Sequence, residues 1–275
     1  MIQDIDKKPD ISYLPDAEPS AEDVIFSFRN NEVLADTGMN APFPRVSDVG
    51  YINAPLFLFS IGDRKYFLAD DSEAEYPEHF SYISVRELRR FSGMDRTEMF
   101  ALFTAFHLYK WYSSGKFCGC CGSPTAPDST ERALRCTSCG ATEYPRIAPA
   151  VIVGVKNGDK LLITRYAANR GVGYDALVAG FTEIGETLEQ TVEREVMEEV
   201  GLRVKNIRYY KSQPWGISGT LLAGFYCDVD GSDTITLDET ELGYAAWVQR
   251  EDIVGQPDDM SLTSEMMKRF RDGKE

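Results

Sequence analysis

The sequence predicts an α/β (α+β) protein: an α/β/α sandwich around a mixed sheet, preceded by a four-cysteine zinc ribbon and an N-terminal α+β domain. Three observations carry this. From residue 147 onward, short apolar strand signals surround one strongly periodic helix and lead to a second, terminal helix. Just before them, two Cys-x-x-Cys pairs stand in a stretch without periodicity. Further upstream, short apolar runs and acidic loops precede one long helix. The expected division is 1–114, 115–146 and 147–275.

In the N-terminal domain, residues 51–60 and 64–69 read as strands and 85–91 as a short helix. Asp95 opens a longer helix, with Glu98 three residues on as a capping box. Its face of Met99, Leu102, Phe103, Phe106 and Tyr109, with Phe100 at the edge, reads as core. In the C-terminal domain, strands at 150–155 and 160–165 flank Asn157-Gly158, a hairpin signal. A strand at 176–181, a helix at 188–200, strands at 204–210, 221–229 and 244–249, and a helix at 262–271 follow. There is no internal repeat and no low-complexity segment.

Composition limits the function. Hydrophobic residues make up 43% of the 275, enough for a sizeable core. With 29 basic and 44 acidic residues the net charge is −15, which argues against a sequence-independent grip on nucleic acid or anionic lipid. A small anionic substrate held through bound cations is compatible with that charge. The start, Met1-Ile2-Gln3-Asp4-Ile5-Asp6, lacks the basic and apolar regions of a signal peptide. The longest apolar runs, such as 55–59 and 148–153, are too short to span a bilayer. A cytoplasmic location is expected. The two histidines, His79 and His107, allow no His-Glu-x-x-His site and few routes to a triad. His107 lies in an apolar helical stretch and reads as a packed or surface residue. Catalysis must lean on carboxylates and metal.

Cys118-x-x-Cys121 and Cys136-x-x-Cys139 supply four thiolates at the spacing of a closed structural zinc site. Gly122 and Gly140 each follow the second cysteine of a pair, where the backbone must turn tightly around the metal. A closed four-sulfur site serves folding, not catalysis. Cys120 reads as a spectator and Cys227 as a small core residue. Between Phe117 and Tyr144 the only basic residues are Arg132 and Arg135, beside Asp128, Glu131 and Glu143, a poor surface for phosphate.

The richest segment runs from Gly180 to Leu202. Thr187 and Gln190 form a capping box, and Gly201 suits the left-handed stop. Leu188, Val192, Val196 and Val200 form a buried stripe, while Glu195, Glu198 and Glu199 share one face. Like charges at such spacing cost about 0.2–0.5 kcal/mol per pair, so the cluster needs a cation. Oxygen ligands without imidazole favour Mg²⁺ or Mn²⁺. Arg194 can orient an upstream glutamate, and Gly180, Gly185 and Glu186 shape a loop at the mouth of the cluster.

This segment matches Gly-x5-Glu-x7-Arg-Glu-U-x-Glu-Glu-x-Gly-U, with U aliphatic, at every fixed position, and so resembles the Nudix box. The order of ribbon and box resembles the bacterial NADH pyrophosphatase (NAD diphosphatase) family, over about 160 residues from the ribbon onward. Ser212-Gln213-Pro214-Trp215 resembles the start of that family's Ser-Gln-Pro-Trp-Pro-Phe-Pro-x-Ser motif. The chain departs from it at Gly216, Ile217 and Ser218, continues through Gly219, and has Thr220 for the final serine. Ser261-Leu262-Thr263 is similar to part of the family's Ser-Ile-Ala-Arg-x-Leu-Ile stretch.

The resemblance implies a metal-dependent hydrolase that cuts NADH or NAD⁺ to NMN(H) and AMP, with possible action on NAD-capped RNA 5′ ends. By position, Glu186, Arg194, Glu195, Glu198 and Glu199 are the catalytic set. Ala179, Glu195, Glu198, Glu199 and Glu241 are the Mg²⁺ or Mn²⁺ residues, and Cys118, Cys121, Cys136 and Cys139 hold Zn²⁺. Tyr144, Phe181, Gln213, Pro214, Trp215, Gly216, Ile217, Ser218, Gly219, Thr220 and Thr263 are implied substrate-binding residues. Among them Trp215 offers a stacking face, and the Gln213 amide can meet a polar base edge. The general base is Glu198 or Glu241, unless the reaction runs through metal-bound water alone. A homodimer is implied. Other readings are hydrolysis of ADP-ribose, a dinucleoside polyphosphate or another nucleotide conjugate, and a non-catalytic nucleotide sensor.

Overall fold

The structure, a computed structural model, describes residues 1–36, 38, 42–50, 54–69, 76–89, 94–167 and 173–275. Three residues of the strand expected at 51–60 and the last two of the helix expected at 85–91 lie outside these. The chain divides into two units. One comprises Gln3–Arg146 and Gly216–Gly219, the other Met1–Ile2, Ile147–Trp215 and Thr220–Glu275.

The first unit opens with short strands: β1 (Pro9–Asp10), β2 (Val24–Phe26), β3 (Phe28–Arg29), β4 (Glu32–Ala35), β5 (Leu56–Ile61), β6 (Arg64–Leu68) and β7 (Ser81–Ser84). They form two sheets, ordered β1-β5-β6-β2 and β3-β4-β7. Helices α1 (Val85–Leu88) and α2 (Arg96–Ser114) follow. The stripe expected as core is core: Met99, Phe100, Leu102, Phe103 and Phe106 are buried, and Tyr109 stacks on Phe28 at 4.9 Å. Burial also includes Ala101 and Ala105, so α2 is enclosed on more than one face. Asp95 caps α2 by accepting from the Glu98 N–H at 2.8 Å. Only this half of the expected box forms, and Glu98 Oε2 is buried without a hydrogen-bond partner among the described residues. The ribbon closes the unit with β8 (Thr125–Pro127), β9 (Leu134–Cys136) and β10 (Thr142–Glu143), ordered β10-β9-β8.

The second unit contains β11 (Ala148–Asn157), β12 (Lys160–Tyr166), β13 (Val178–Phe181), α3 (Leu188–Val200), β14 (Val204–Trp215), β15 (Thr220–Val229), β16 (Leu242–Gln249) and α4 (Leu262–Arg271). The sheet order is β14-β15-β11-β12-β16, with β13 also paired to β11. The β11–β15 pair is parallel and the others antiparallel, so the sheet is mixed. Alternation along β11 sends Val151, Val153 and Val155 to one face, where they meet Val192, Val196 and Val200 of α3. Ile152 points the other way, into a core with Leu262, Met266, Met267 and Phe270 of α4. Helices therefore cover both faces, the expected α/β/α sandwich. Each fully buried valine of α3 contributes on the order of 1.5 kcal/mol by leaving water.

Two local expectations change. Asn157 is the last residue of β11 and pairs with Lys160, so the hairpin turns on Gly158 and Asp159. The strand expected at 204–210 runs on to Trp215, which pairs with Thr220 of β15. Ser212-Gln-Pro-Trp215 is therefore strand, not loop. Proline is tolerated there because β14 is the edge strand of the sheet.

Candidate functional site

The carboxylate helix is fixed at both ends. Thr187 Oγ1 accepts from the Gln190 N–H at 3.2 Å, and Gln190 Oε1 accepts from the Thr187 N–H at 2.9 Å. Gly201 ends the helix in the left-handed region at φ 68°. The valine stripe then sets the roll of α3, which buries Glu195 and Glu199 and leaves Glu198 exposed. Gly180 on β13 comes so close that a Cβ there would overlap the Glu195 carboxylate. Glycine is required at this position because the carboxylate fills its missing side chain's space.

Arg194 organises three of the glutamates. It grips Glu186 with two bonds, Nε to Oε1 at 2.6 Å and Nη2 to Oε2 at 2.9 Å. Nη1 reaches Glu195 Oε1 at 2.7 Å and Glu198 Oε2 at 2.9 Å, and Nη2 also donates to the Phe181 carbonyl at 2.8 Å. Glu186 Oε2 further accepts from the Glu183 N–H and the Thr191 hydroxyl. The Arg194 guanidinium, helped by these donors, pulls the Glu186 carboxyl down to about 2. Glu195 shifts the other way: burial raises it against the pull of Arg194, and Glu198 and Glu241 add repulsion.

Glu199 is buried, and its carbonyl accepts from the Asp238 N–H at 3.0 Å. Asp238 in turn accepts from the Glu241 N–H, so the turn carrying Glu241 is tied to the end of α3. Ala179 lies half-buried on β13, between Val178 and Gly180. Among the described residues, the only group of at least three His, Cys, Asp or Glu side chains with ligand atoms all within 4.8 Å is the cysteine set. Glu195, Glu198, Glu199 and Glu241 are not drawn that close together. Their chemistry nevertheless fits a hard divalent cation: carboxylate oxygens only, one of them with its ionised form disfavoured until a positive charge arrives.

The ribbon brings its four sulfurs together. Cys118 and Cys139 lie 3.7 Å apart, Cys121 and Cys136 3.5 Å, and Cys121 and Cys139 3.5 Å. Thiolates on a tetrahedral zinc stand about 3.8 Å apart, so the set matches a closed zinc site. Gly122 and Gly140 turn at φ 74° and 73°, and their N–H groups return to the carbonyls of Cys118 and Cys136. The Ser123 hydroxyl and N–H help bring the Cys121 thiol down to about 6. Cys120 is exposed, whereas Cys227 is fully buried and burial pushes its thiol up to about 12.

The implied substrate residues fall in both units. Phe181 is exposed at the end of β13, Pro214 is exposed, Trp215 is half-buried, and Thr263 is half-buried on the first turn of α4. Gln213 differs from the expectation of a base contact. It is fully buried, and its amide is engaged by main-chain groups at Met260 and Leu262. In the first unit Tyr144 is exposed and its hydroxyl donates to Glu131 at 3.0 Å. Ile217 and Ser218 lie between two glycines of that unit. A Cβ at Gly216 would fall on the Phe103 carbonyl of α2, and one at Gly219 would meet His107 Nε2 at 3.1 Å. The family's proline cannot stand at 216 without moving that helix. His107 itself bonds the Arg146 carbonyl at 2.8 Å.

Sequence reasoning missed Thr191 and Glu131. Thr191 sits one turn after the cap and supports Glu186, but a helical threonine carries no distinctive signal. Glu131 was noted only as a charge that spoils phosphate binding.

The NUDIX domain family matches residues 145–270, and the NADH pyrophosphatase zinc ribbon domain matches residues 113–144. Among curated proteins, the NAD-capped RNA hydrolase NudC of Enterobacter sp. (strain 638) is 46% identical over 146 residues, 53% of this chain and 56% of that protein. The NAD-capped RNA hydrolase NudC of Citrobacter koseri is 44% identical with the same coverage. The chain thus spans about half the length of the curated relatives it matches. A crystal structure of a NUDIX hydrolase from Nitrosomonas europaea shares the fold at TM-score 0.50 and 24% identity, over 58% of this chain and 92% of that one. The helix geometry, the four-sulfur ribbon and these matches agree: the chain carries an NADH pyrophosphatase zinc ribbon domain followed by a NUDIX domain.

Proposed function

We propose that this protein hydrolyses the pyrophosphate bond of NADH or NAD⁺, releasing NMN(H) and AMP. The observation that carries the reading is the Arg194-centred cluster of Glu186, Glu195 and Glu198 against Gly180, within a NUDIX domain that follows an NADH pyrophosphatase zinc ribbon domain. Mg²⁺ or Mn²⁺ would be held by Glu195, Glu198, Glu199 and Glu241 with the main chain at Ala179. Bound there, such an ion supplies polarisation of phosphoryl oxygens and an acidified water.

The chain's own residues have the remaining tasks. Arg194 and Glu186 keep the acidic helix face in place and hold its charges apart from the valine core. Glu198 or Glu241 takes the proton of the attacking water. In the second unit, exposed Phe181 and half-buried Trp215 offer faces for a ring of the dinucleotide, and in the first unit Tyr144 is an exposed ring of the same kind. Gly216, Ile217, Ser218, Gly219 and Thr220 form the segment that follows Trp215, and Thr263 stands on the first turn of α4. The zinc ribbon is structural, within a division into 1–114, 115–146 and 147–275. A cytoplasmic homodimer is part of the same reading. NAD-capped RNA 5′ ends are a further substrate, supported by the names of the relatives.

A second reading rests on Gly216-Ile217-Ser218. These residues remove an aromatic and two prolines from the motif that the chain otherwise resembles, which favours another nucleotide conjugate, such as ADP-ribose, in place of the dinucleotide. The test is turnover by Glu199→Gln. Loss of at least about 100-fold in kcat supports the metal role, as for groups that stabilise transition-state charge. Retained turnover removes it. A protein that binds NADH but cleaves no pyrophosphate with either metal is a sensor.

A further inference from the structure

Gln213 is the one member of Ser212-Gln-Pro-Trp215 that is completely buried. Its Nε2 donates to the Met260 carbonyl at 2.7 Å, and its Oε1 accepts from the Leu262 N–H at 2.7 Å. One side chain thus pairs with both a main-chain acceptor and a main-chain donor, in the way a neighbouring strand would. Leu262 opens α4, and its N–H is one of the first-turn donors that a helix cannot satisfy internally.

The segment being gripped is itself well fixed. Ser261 caps α4 by accepting from the Ser264 N–H at 3.0 Å, and its hydroxyl donates to Gln256 Oε1 at 2.5 Å. Gln256 Nε2 donates to the Asp175 carbonyl at 2.9 Å. Trp215 lies two residues beyond Gln213 on β14. Thr263 lies one residue beyond Leu262 on α4.

We propose that Gln213 is a positioning residue of the substrate site: its buried amide locks the strand carrying Trp215 to the helix turn carrying Thr263. The inference rests on the hydrolase reading for its consequence, and on the geometry within the second unit for its existence. Both ends of this fully buried amide are engaged by main-chain groups, which ties it to the fold first. What it offers is a fixed spacing between two segments that the sequence separates by almost fifty positions. Losing it leaves the buried Leu262 N–H to find another partner, while the Met260 carbonyl keeps the Ile2 N–H at 2.9 Å, so the link between β14 and the start of α4 loosens.

The test uses the full chain and the variant Gln213→Glu. A protonated glutamate has the shape of the amide, donating to Met260 and accepting from Leu262. The ionised form presents two acceptors and repels the Met260 carbonyl. Burial raises the carboxyl, so the lock is present at low pH and is lost as pH rises through that raised value. Relative to wild type at the same pH, the KM for NADH should be unchanged near about pH 5.5 and raised about tenfold near about pH 8.5, with kcat within about threefold. Gln213→Leu should raise KM at both pH values. Hydrogen exchange at the Leu262 amide should accelerate in step with KM.

That exchange needs no substrate, so it tests the lock even where the protein cleaves no NADH and the hydrolase reading fails. A raised KM with unchanged Leu262 exchange would identify Gln213 as a direct ligand contact and overturn the proposal. Wild-type KM at both pH values in both variants, whatever their melting temperatures, would reduce Gln213 to a packing residue and overturn it equally.

Discussion

At the scale of single residues, the site is a balance of opposed charges. Arg194 bonds three glutamates at once, and the result splits their behaviour: Glu186 is held down to about 2, whereas buried Glu195 is pushed up. Arg194→Lys keeps a positive charge but loses the two-pronged grip on Glu186. It should lower kcat by about tenfold or more while KM changes little, which steady-state kinetics with NADH will show. Away from the site, burial and the neighbouring Asp95 push Glu98 up to about 7. Its folded value exceeds its unfolded one, so its favourable contribution exists below the unfolded value and disappears as pH rises through 7. Glu98→Gln should match wild type near about pH 4.5 and be more stable by about 1 kcal/mol near about pH 8, allowing for solvent at this partly exposed group. Urea unfolding at the two pH values checks it, and equal stability at pH 8 would contradict it. These contacts were only partly legible in the sequence. Spacing put Glu195, Glu198 and Glu199 on one face, but the burial of two and exposure of the third depend on how the valine stripe meets β11.

At the scale of elements, α3 and β13 make the site together. The helix limits at 188 and 200 were readable because Thr187, Gln190 and Gly201 each have a local mechanism. The short strands of the N-terminal region were not readable, since two to four residues carry too little alternation. The end of β14 was misread because Pro214 suggests a loop unless the strand is known to lie at an edge. Gly180→Ala should displace the Glu195 carboxylate and abolish turnover while the zinc content stays unchanged. Thr187→Ala should cost about 1 kcal/mol through the lost cap and leave the NADH KM near wild type. A Gly180→Ala enzyme with normal kcat would refute the close-approach argument.

At the scale of the whole molecule, the ribbon and the carboxylate helix fall in different units. The ribbon's four sulfurs are close enough to close on one ion, which ties the folding of its unit to metal. Cys136→Ser should reduce bound zinc from about one per chain towards zero and lower the melting temperature, read by elemental analysis and calorimetry. No helix among the described residues is long and apolar enough to cross a membrane. The proposed substrate class was legible as far as the Nudix box and the ribbon reach, and less so through Gly216 to Thr220. There Gly216 and Gly219 fit closely against α2 at Phe103 and His107, where the resembled motif has a proline at 216.

The central claim is a metal-dependent cut of a dinucleotide pyrophosphate at the carboxylate helix. The most direct measurement is product analysis for NADH and ADP-ribose, with and without Mg²⁺ or Mn²⁺, in wild type and Glu199→Gln. The account predicts NMNH and AMP from NADH, strictly dependent on the added metal and lost in the variant. Absence of AMP from both substrates with either metal, or equal AMP release by Glu199→Gln, would contradict it.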